Sequence, residues 1–129
     1  MPFTYNPFTR KFDRTINGDD YVKINETIVS HGVISSGTEI FDLNDGAYHT
    51  VTVGGDFTVS FDNWSATGVM STVIKFIDPG NYTITWPVTV DWPGGIEPSW
   101  TASGIDFAVF FSDDNGTTIY GGRSLTDMQ

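Results

Sequence analysis

The residue types that most often perform chemistry are sparse in this 129-residue chain. Cysteine is absent, which excludes a thiolate nucleophile and a thiolate metal site. Histidine occurs only at His31 and His49, in two predicted strands, and neither has a nearby acidic partner in the sequence. A catalytic pair or a metal site would need further ligands from distant parts of the chain. We therefore interpret both as ordinary strand histidines.

The sixteen acidic residues could supply a carboxylate pair of the kind that glycosidases use. A hydrolase also needs a cleft, however, and a small β-domain usually fills its own interior with side chains. The segment 42–46 begins like a calcium loop, but Val53 occupies the position of the bidentate acid, so we predict a turn. A hairpin loop is predicted in the same way for 113–116. We predict no catalytic residue, no cofactor and no metal site, and hence no enzyme.

Aromatic side chains are the second group that could recognise a ligand. The four tryptophans could stack against sugars, or they could pack in a core or a subunit interface. Trp86 and Trp92 each precede a proline, which places them at predicted corners where packing is the commoner role. Trp64 and Trp100 are left as the candidate glycan-binding or interface aromatics.

Charge divides the chain into two parts. Residues 1–23 carry four basic and three acidic side chains, for a net charge of +1, whereas residues 24–129 carry two basic and thirteen acidic side chains, for a net charge of −11. Phosphates would be repelled by so acidic a body, so nucleic acid is not an expected partner. No apolar run is long enough to cross a membrane, and no signal-peptide pattern precedes the body. We expect a soluble protein, made in the cytoplasm, with no membrane partner.

Residues 1–27 are predicted to form an extended N-terminal docking arm. The segment has no sustained period and is interrupted by Pro2, Pro7 and Asn17-Gly18. Its large rings would have to be buried against the body, a neighbouring copy or another protein. The alternative is a strand or strap that completes the sheet of the body. The predicted docking residues are Phe3, Tyr5, Phe8, Arg10, Lys11, Phe12 and Arg14.

Residues 28–129 are predicted to form one all-β domain. With 39% hydrophobic residues, the chain is long enough for one well-cored domain, and no stretch of ten residues has helical period. Short alternating segments separated by turn signals are typical of a β-sandwich or jelly roll. The predicted strands are Thr27–Ile34, Thr38–Leu43, Tyr48–Val53, Phe57–Phe61, Val69–Ile77, Tyr82–Trp86, Ile105–Phe111 and Thr117–Tyr120.

Turn residues predict three hairpins within this domain. Gly54-Gly55-Asp56 would join Tyr48–Val53 to Phe57–Phe61, and the turn at 78–81 would join Val69–Ile77 to Tyr82–Trp86. The turn at 113–116 would join the last two strands. The polar tail, residues 121–129, is predicted to fray.

Several of these segments resemble virion proteins of tailed bacteriophages. The opening Tyr5-Asn-Pro-Phe-Thr-Arg-Lys-Phe-Asp13 is similar to the NPFTGKFD opening of small phage structural and fibre proteins, with Arg10 in place of glycine. A β-domain recurrent in phage tail and fibre proteins has the motifs TITWP, WPGG, D-x-F-x-F-F and GTTWYG. The matching segments here are 83–87, 92–95, 106–111 and 116–121, and Ile119 stands where that family has tryptophan.

The resemblance implies a non-enzymatic virion structural protein, assembled in the host cytoplasm. Symmetric particle sites favour a homotrimer, and the expected role is a capsid decoration or cement protein that docks through its arm on the major capsid protein or another virion protein. One alternative is a tail, neck or short-fibre component. Another is a glycan-binding β-sandwich module that recognises the host surface.

Overall fold

The computed structural model describes residues 3–6, 11–14 and 26–129. Two short strands, β1 (Phe3–Asn6) and β2 (Lys11–Arg14), pair with each other in antiparallel register, with Phe3 opposite Arg14 and Asn6 opposite Lys11. They form a two-stranded sheet of their own. Part of the predicted arm therefore consists of two paired strands.

The all-β prediction is confirmed. Within residues 26–129 the regular structure consists of strands and two short 3-10 turns, at Pro79–Asn81 and Pro93–Gly95. Most strand bounds agree closely with the predicted ones. The strands are β3 (Ile28–Ile34), β4 (Thr38–Asp42), β5 (Tyr48–Val53), β6 (Phe57–Asp62), β7 (Met70–Ile77), β8 (Ile84–Thr85), β9 (Val90–Asp91), β10 (Ile105–Ser112) and β11 (Ile119–Met128).

The strands from β3 to β8 alternate between two sheets. One sheet has the order β3-β5-β7-β10-β11-β9 and the other has the order β4-β6-β8. β3, β5 and β7 are mutually parallel, as are β4, β6 and β8, so this part of the chain winds as a coil. Ile28 lies opposite Tyr48, and Thr38 lies opposite Thr58. Such parallel pairs differ from the antiparallel Greek keys of a jelly roll.

The predicted hairpin between β5 and β6 is wrong, because these strands lie in different sheets. Gly54 and Gly55 do turn the chain, but the turn rests on the preceding coil. Gly54 N–H donates to the Ile34 carbonyl at 2.8 Å, and a Cβ on Gly55 would clash with the Ser35 carbonyl oxygen. These glycines allow one coil to stack closely on the next.

The predicted hairpin between β7 and β8 is wrong for a similar reason. Residues 78–81 turn as expected, but they lead from one sheet to the other. Asp78 N–H donates to the Gly104 carbonyl and Gly80 N–H donates to the Thr101 carbonyl, so the turn packs on the crossover that precedes β10. A side chain at Gly80 would collide with the Trp100 carbonyl.

The third predicted hairpin is confirmed, because β10 and β11 pair in antiparallel register with Phe111 opposite Tyr120. The predicted fraying of residues 121–129 is wrong, since β11 continues to Met128. The buried carboxylate of Asp106 holds this end of the chain. Its Oδ1 accepts the Asp127 N–H at 2.9 Å and the Thr101 hydroxyl at 2.8 Å, and its Oδ2 accepts the Thr101 N–H at 2.7 Å.

Both sheets bury apolar side chains in one shared core, so the two layers face each other. The three-stranded sheet and the six-stranded sheet contribute alternate residues of their strands, as the period of a half-buried strand requires. The core residues are Phe41, Val51, Val53, Phe57, Val59, Ile74, Phe76, Ile84, Trp92, Ala108, Phe110 and Ile119.

Candidate functional site

A cluster of large rings fills the end of the core nearest the two Trp-Pro corners. The ring centroids of Trp86 and Trp92 lie 5.1 Å apart in an edge-to-face arrangement, and Trp86 lies 5.3 Å from Phe110. Phe76 and Trp100 complete the cluster at 5.5 Å from each other. Edge-to-face and tilted contacts at these distances are favourable beyond simple burial. The prediction that Trp86 and Trp92 pack inside the fold is confirmed.

Trp100, one of the two candidate ligand-binding tryptophans, takes part in this packing. Its indole N–H donates to Glu97 Oε1 at 2.9 Å, and the Trp86 indole N–H donates to the same oxygen at 2.7 Å. One carboxylate therefore accepts hydrogen bonds from both indole N–H groups while the two rings stay half-buried. The hydrogen bonds give the crossover between β9 and β10 a fixed position over the core.

Trp64, the other candidate, lies in a different part of the aromatic core. Its ring is 5.7 Å from that of Phe61, and a Cβ on Gly116 would collide with it. The buried Trp64 Nε1 has no hydrogen-bond partner among the described residues. The structure does not bring Trp64 and Trp100 together on one platform, and their role as ligand-binding aromatics stays a prediction.

A groove beside β11 forms a depression in the described body with a volume of about 640 Å³. Its outer wall carries Phe111 and Tyr120, which are 45% and 41% exposed and stack with centroids 5.3 Å apart. Sequence reasoning missed these two rings, although alternation along the confirmed hairpin places both on the outer face. The floor and rim are formed by Asp91, Trp92, Pro93, Gly94, Gly95, Val109, Gly121, Gly122, Arg123 and Ser124.

Polar groups stand on the rim of this groove. Asp91 is exposed at the end of β9. Arg123 is one of two basic residues in the acidic body, and its guanidinium donates to the Ser99 carbonyl. A depression with apolar walls and a few polar rim groups can hold a peptide or a small polar ligand.

The two histidines, interpreted from the sequence as ordinary strand histidines without a nearby acidic partner, form a continuous hydrogen-bonded chain with Glu39. His31 Nδ1 lies 2.9 Å from Glu39 Oε1, His31 Nε2 lies 2.8 Å from His49 Nδ1, and His49 Nε2 lies 3.0 Å from the Gly46 carbonyl oxygen. Stacking of consecutive coils brings the three side chains together. The two histidines are separated along the chain by nearly as many residues as the paired positions of β3 and β5. This similar separation is the sequence signal for the contact.

The protonation of this chain follows from its acceptors. A carbonyl can only accept, so His49 carries its proton on Nε2 and accepts at Nδ1 from His31 Nε2–H. Burial lowers the pKa of His49, and the neighbouring His31 lowers it further, against the opposing effects of the Gly46 carbonyl, Asp45 and Asp42. The chain stabilises neutral His49 within the core.

The segment at 42–46 is the predicted turn. Asp45 N–H donates to the Asp42 carbonyl at 3.1 Å, and the Asp42 carboxylate accepts from Asn44 N–H and from the Asn63 amide. The turn at 113–116 is built in the same way, with the Asp114 carboxylate accepting from Ser112 and Thr118. Within the part of the chain that the structure describes, no group of three or more potential ligands is arranged to hold a metal ion.

The predicted docking residues fall in the N-terminal segment. Strand β1 contains Phe3 and Tyr5, and strand β2 contains Lys11, Phe12 and Arg14. Phe8 and Arg10 lie outside the described residues. The docking role of this set stays a prediction.

Comparison of the chain with protein-family models, with curated proteins and with solved structures finds no match. The described residues also include no helix of the length and apolarity that a membrane span requires.

Proposed function

We propose that this chain is a non-enzymatic structural protein of a tailed-phage virion, in which a β-sandwich body is attached to the particle through residues 1–27. The most specific role is a homotrimeric capsid decoration or cement protein that docks on the major capsid protein or another virion protein.

The observation that carries the proposal is the convergence of the phage-like motifs. Trp86 and Trp92 come from the two Trp-Pro segments, Phe110 from the aromatic strand and Ile119 from the last strand, and all four join one packed cluster. Gly121 ends the last motif, and only a glycine fits there against Phe110 and Trp92. These motifs therefore specify a scaffold, which supports the resemblance to a structural protein.

The distribution of charge supports attachment through the arm. Residues 24–129 carry a net charge of −11 and the first 23 residues a net charge of +1, with Arg10, Lys11 and Arg14 close to the aromatic residues. A basic, aromatic segment is suited to an acidic or apolar surface of a neighbouring subunit. The acidic body would stay soluble on the outside of a particle.

Rebinding to particles tests the docking role. The full chain and a variant lacking residues 1–14 would each be added to virions that lack the protein and sedimented through a density gradient. We expect the full chain to co-sediment and the truncated chain to remain at the top, with the β-sheet circular dichroism signal of the body retained. Undiminished binding of the folded, truncated chain would overturn docking through the arm.

Location on the particle separates the leading role from a tail, neck or short-fibre component. Gold-labelled antibody against the chain would mark the capsid surface if the protein decorates the head. Label confined to the tail would instead select the second role within the same class.

A glycan-binding module is the second candidate, and one observation favours it. The exposed stacked rings of Phe111 and Tyr120 lie beside the polar groups of Asp91 and Arg123 in a groove of about 640 Å³. Sugars bind by stacking on such rings while their hydroxyls bond to polar neighbours. If this function is correct, the double variant Phe111→Ala/Tyr120→Ala loses binding on a glycan array and remains folded.

A further inference from the structure

Strand β11 has an edge in the groove that the described residues leave unpaired beyond Tyr120. On its outer side β11 pairs with β9 only at Ile119 and Tyr120, because β9 ends at Asp91 and Trp92-Pro93 leads the chain away. The Ile119 N–H donates to the Thr89 carbonyl on this side. Alternation along the strand then turns the N–H and C=O groups of Gly121 and Arg123 in the same direction. No described residue pairs with β11 at these two positions on this side.

Two adjacent glycines on this edge differ in the space that a side chain would find on the inner and outer faces of the sheet. A Cβ on Gly121 would lie 2.8 Å from Phe110 Cε1, so the inner face has no space for a side chain. On Gly122 a Cβ would have nothing within 4 Å. The outer face therefore has an open position between the exposed rings of Phe111 and Tyr120 and the rest of the groove. Bare glycine on a sheet surface is stabilised by a large ring from the adjacent strand.

We propose that the edge of β11 at Gly121–Ser124 pairs with strand β1 (Phe3–Asn6) of a second copy of this chain, so that the neighbour's arm extends the six-stranded sheet. The inference rests on the proposed function and names the surface that receives the arm within the assembly. Main-chain hydrogen bonds would supply the pairing, and an aromatic side chain over Gly122 would supply specificity.

Several features select β1 as the occupant. It is already a strand, and its antiparallel pairing with β2 occupies only one of its two edges. It has four residues, the same length as the unpaired edge segment Gly121–Ser124 of β11. It contains two aromatic residues, Phe3 and Tyr5, and the outer face at Gly122 has room for a ring. Residues 1–14 carry three basic side chains and one acidic side chain, for a net charge of +2, whereas residues 24–129 carry a net charge of −11.

The contact is also consistent with the proposed trimer. The arm of one copy meets the sheet edge of the next, so the two surfaces differ and the interface is heterologous. Heterologous contacts form a closed ring when the rotation between neighbouring subunits allows it, and a trimer is one such ring. A sugar in the groove would use the rings and the rim but would leave the main-chain groups of Gly121 and Arg123 without partners.

Cysteine pairing provides a direct test because the wild-type chain contains no cysteine. Two full-length chains with tags of different mass would be mixed, one carrying Gly122→Cys and the other carrying Phe3→Cys or Tyr5→Cys. Mild oxidation should cross-link the mixed pair about ten times more than a control pair in which Val88→Cys replaces Gly122→Cys. Val88 is fully exposed and lies outside the groove. Equal cross-linking of the two pairs would overturn the proposal.

A matched pair of variants at Arg123 tests the hydrogen bonding itself. Arg123→Pro removes an N–H that points away from β10, so it leaves the β10–β11 ladder intact and blocks strand addition. Arg123→Ala keeps the N–H and removes only the side chain. Light scattering on the full chain should show an oligomer for wild type and for Arg123→Ala, and a monomer for Arg123→Pro. A monomeric wild type, or an oligomer that persists in folded Arg123→Pro, would contradict the proposal.

The two proposals fail in different ways. Normal rebinding of Arg123→Pro to particles, with loss only after deletion of residues 1–14, would show that the arm binds a different virion protein, and it would overturn strand addition alone. A chain that forms the predicted cross-link and never associates with particles would overturn the virion role alone. Binding of neutral oligosaccharides in the groove, with cross-linking at the control level, would assign the groove to sugars.

Discussion

Trp86 and Trp100 donate their indole N–H groups to the same oxygen of Glu97, at 2.7 and 2.9 Å, while their rings lie 5.9 Å apart. Glu97 is three residues from Trp100 and eleven from Trp86. One exposed carboxylate thus ties a Trp-Pro corner to the crossover before β10.

Replacing Glu97 should loosen this corner. In Glu97→Ala both indole N–H groups lose their acceptor, and we expect the free energy of unfolding to fall by about 1 kcal/mol because water replaces part of the loss. Urea titration followed by tryptophan fluorescence would measure the change. Asp113→Ala removes an exposed carboxylate from a turn and serves as the control, with no comparable loss expected.

Asp106 should be the carboxylate on which the fold depends most. Burial raises its pKa, but hydrogen bonds from Thr101 and the Asp127 N–H outweigh burial and hold the pKa below its usual value. In Asp106→Asn the amide NH₂ would replace one acceptor and face a donor, so we expect a loss of about 3 kcal/mol. Faster amide hydrogen exchange at Asp127 would show that the end of β11 has been released, and unchanged exchange would argue against this role.

Gly121 and Gly122 should respond in opposite ways to the same substitution. A methyl group at Gly121 would meet Phe110 and Trp92 at 2.8 and 3.1 Å, so Gly121→Ala should lower the free energy of unfolding by about 1–3 kcal/mol. Gly122→Ala meets nothing within 4 Å and should be neutral or stabilise by up to about 1 kcal/mol. Thermal unfolding of both variants would measure the difference, and equal losses would contradict the described packing.

The histidine chain predicts that stability falls in mild acid. The pKa of His49 is lowered in the folded protein, whereas in the unfolded chain it should lie near 6.5. The unfolded state therefore binds a proton first, and stability decreases as the pH falls below about 6.5 toward the folded-state pKa. Asp42, Asp106 and Asp114 also have lowered pKa values, but their contribution is lost only in stronger acid, below about pH 4.

The variant His49→Gln separates the histidine from the other groups. It can keep a donor toward the Gly46 carbonyl but cannot titrate, so its stability should change less than that of wild type between pH 7.5 and pH 5.5. Urea unfolding at the two pH values would measure the difference. An identical pH dependence in both proteins would show that His49 is not responsible.

The strands could be predicted from sequence because their signal is local. Alternation and flanking turn residues located Tyr48–Val53 to the residue, and the turn at 113–116 correctly joined β10 to β11. Pairing could not be predicted in the same way, because Gly54 and Gly55 indicate that the chain turns but not which strand it meets next. Their role depends on Ser35 and Ile34 of the preceding coil, which is a tertiary contact.

The candidate site was predicted only in part for the same reason. The pairing of Trp86 with Trp92 was accessible from the Trp-Pro corners. The contacts among Glu39, His31 and His49 depend on the stacking of parallel coils. The sequence signal for this stacking is a repeat: Ile28 and its partner Tyr48 are separated by the same number of residues as Thr38 and its partner Thr58. The fraying predicted for the polar tail failed because a single buried acid, Asp106, binds its backbone.

Mass spectrometry of gradient-purified phage particles tests the central claim most directly. Particles from the lysate in which the chain is made would be banded by density and digested, and the copy number of the chain would be measured against the major capsid protein. If the protein is a trimeric virion component, the chain will band with the particles in multiples of three per symmetry-related site. Its recovery only in the particle-free fractions would contradict a structural role in the virion.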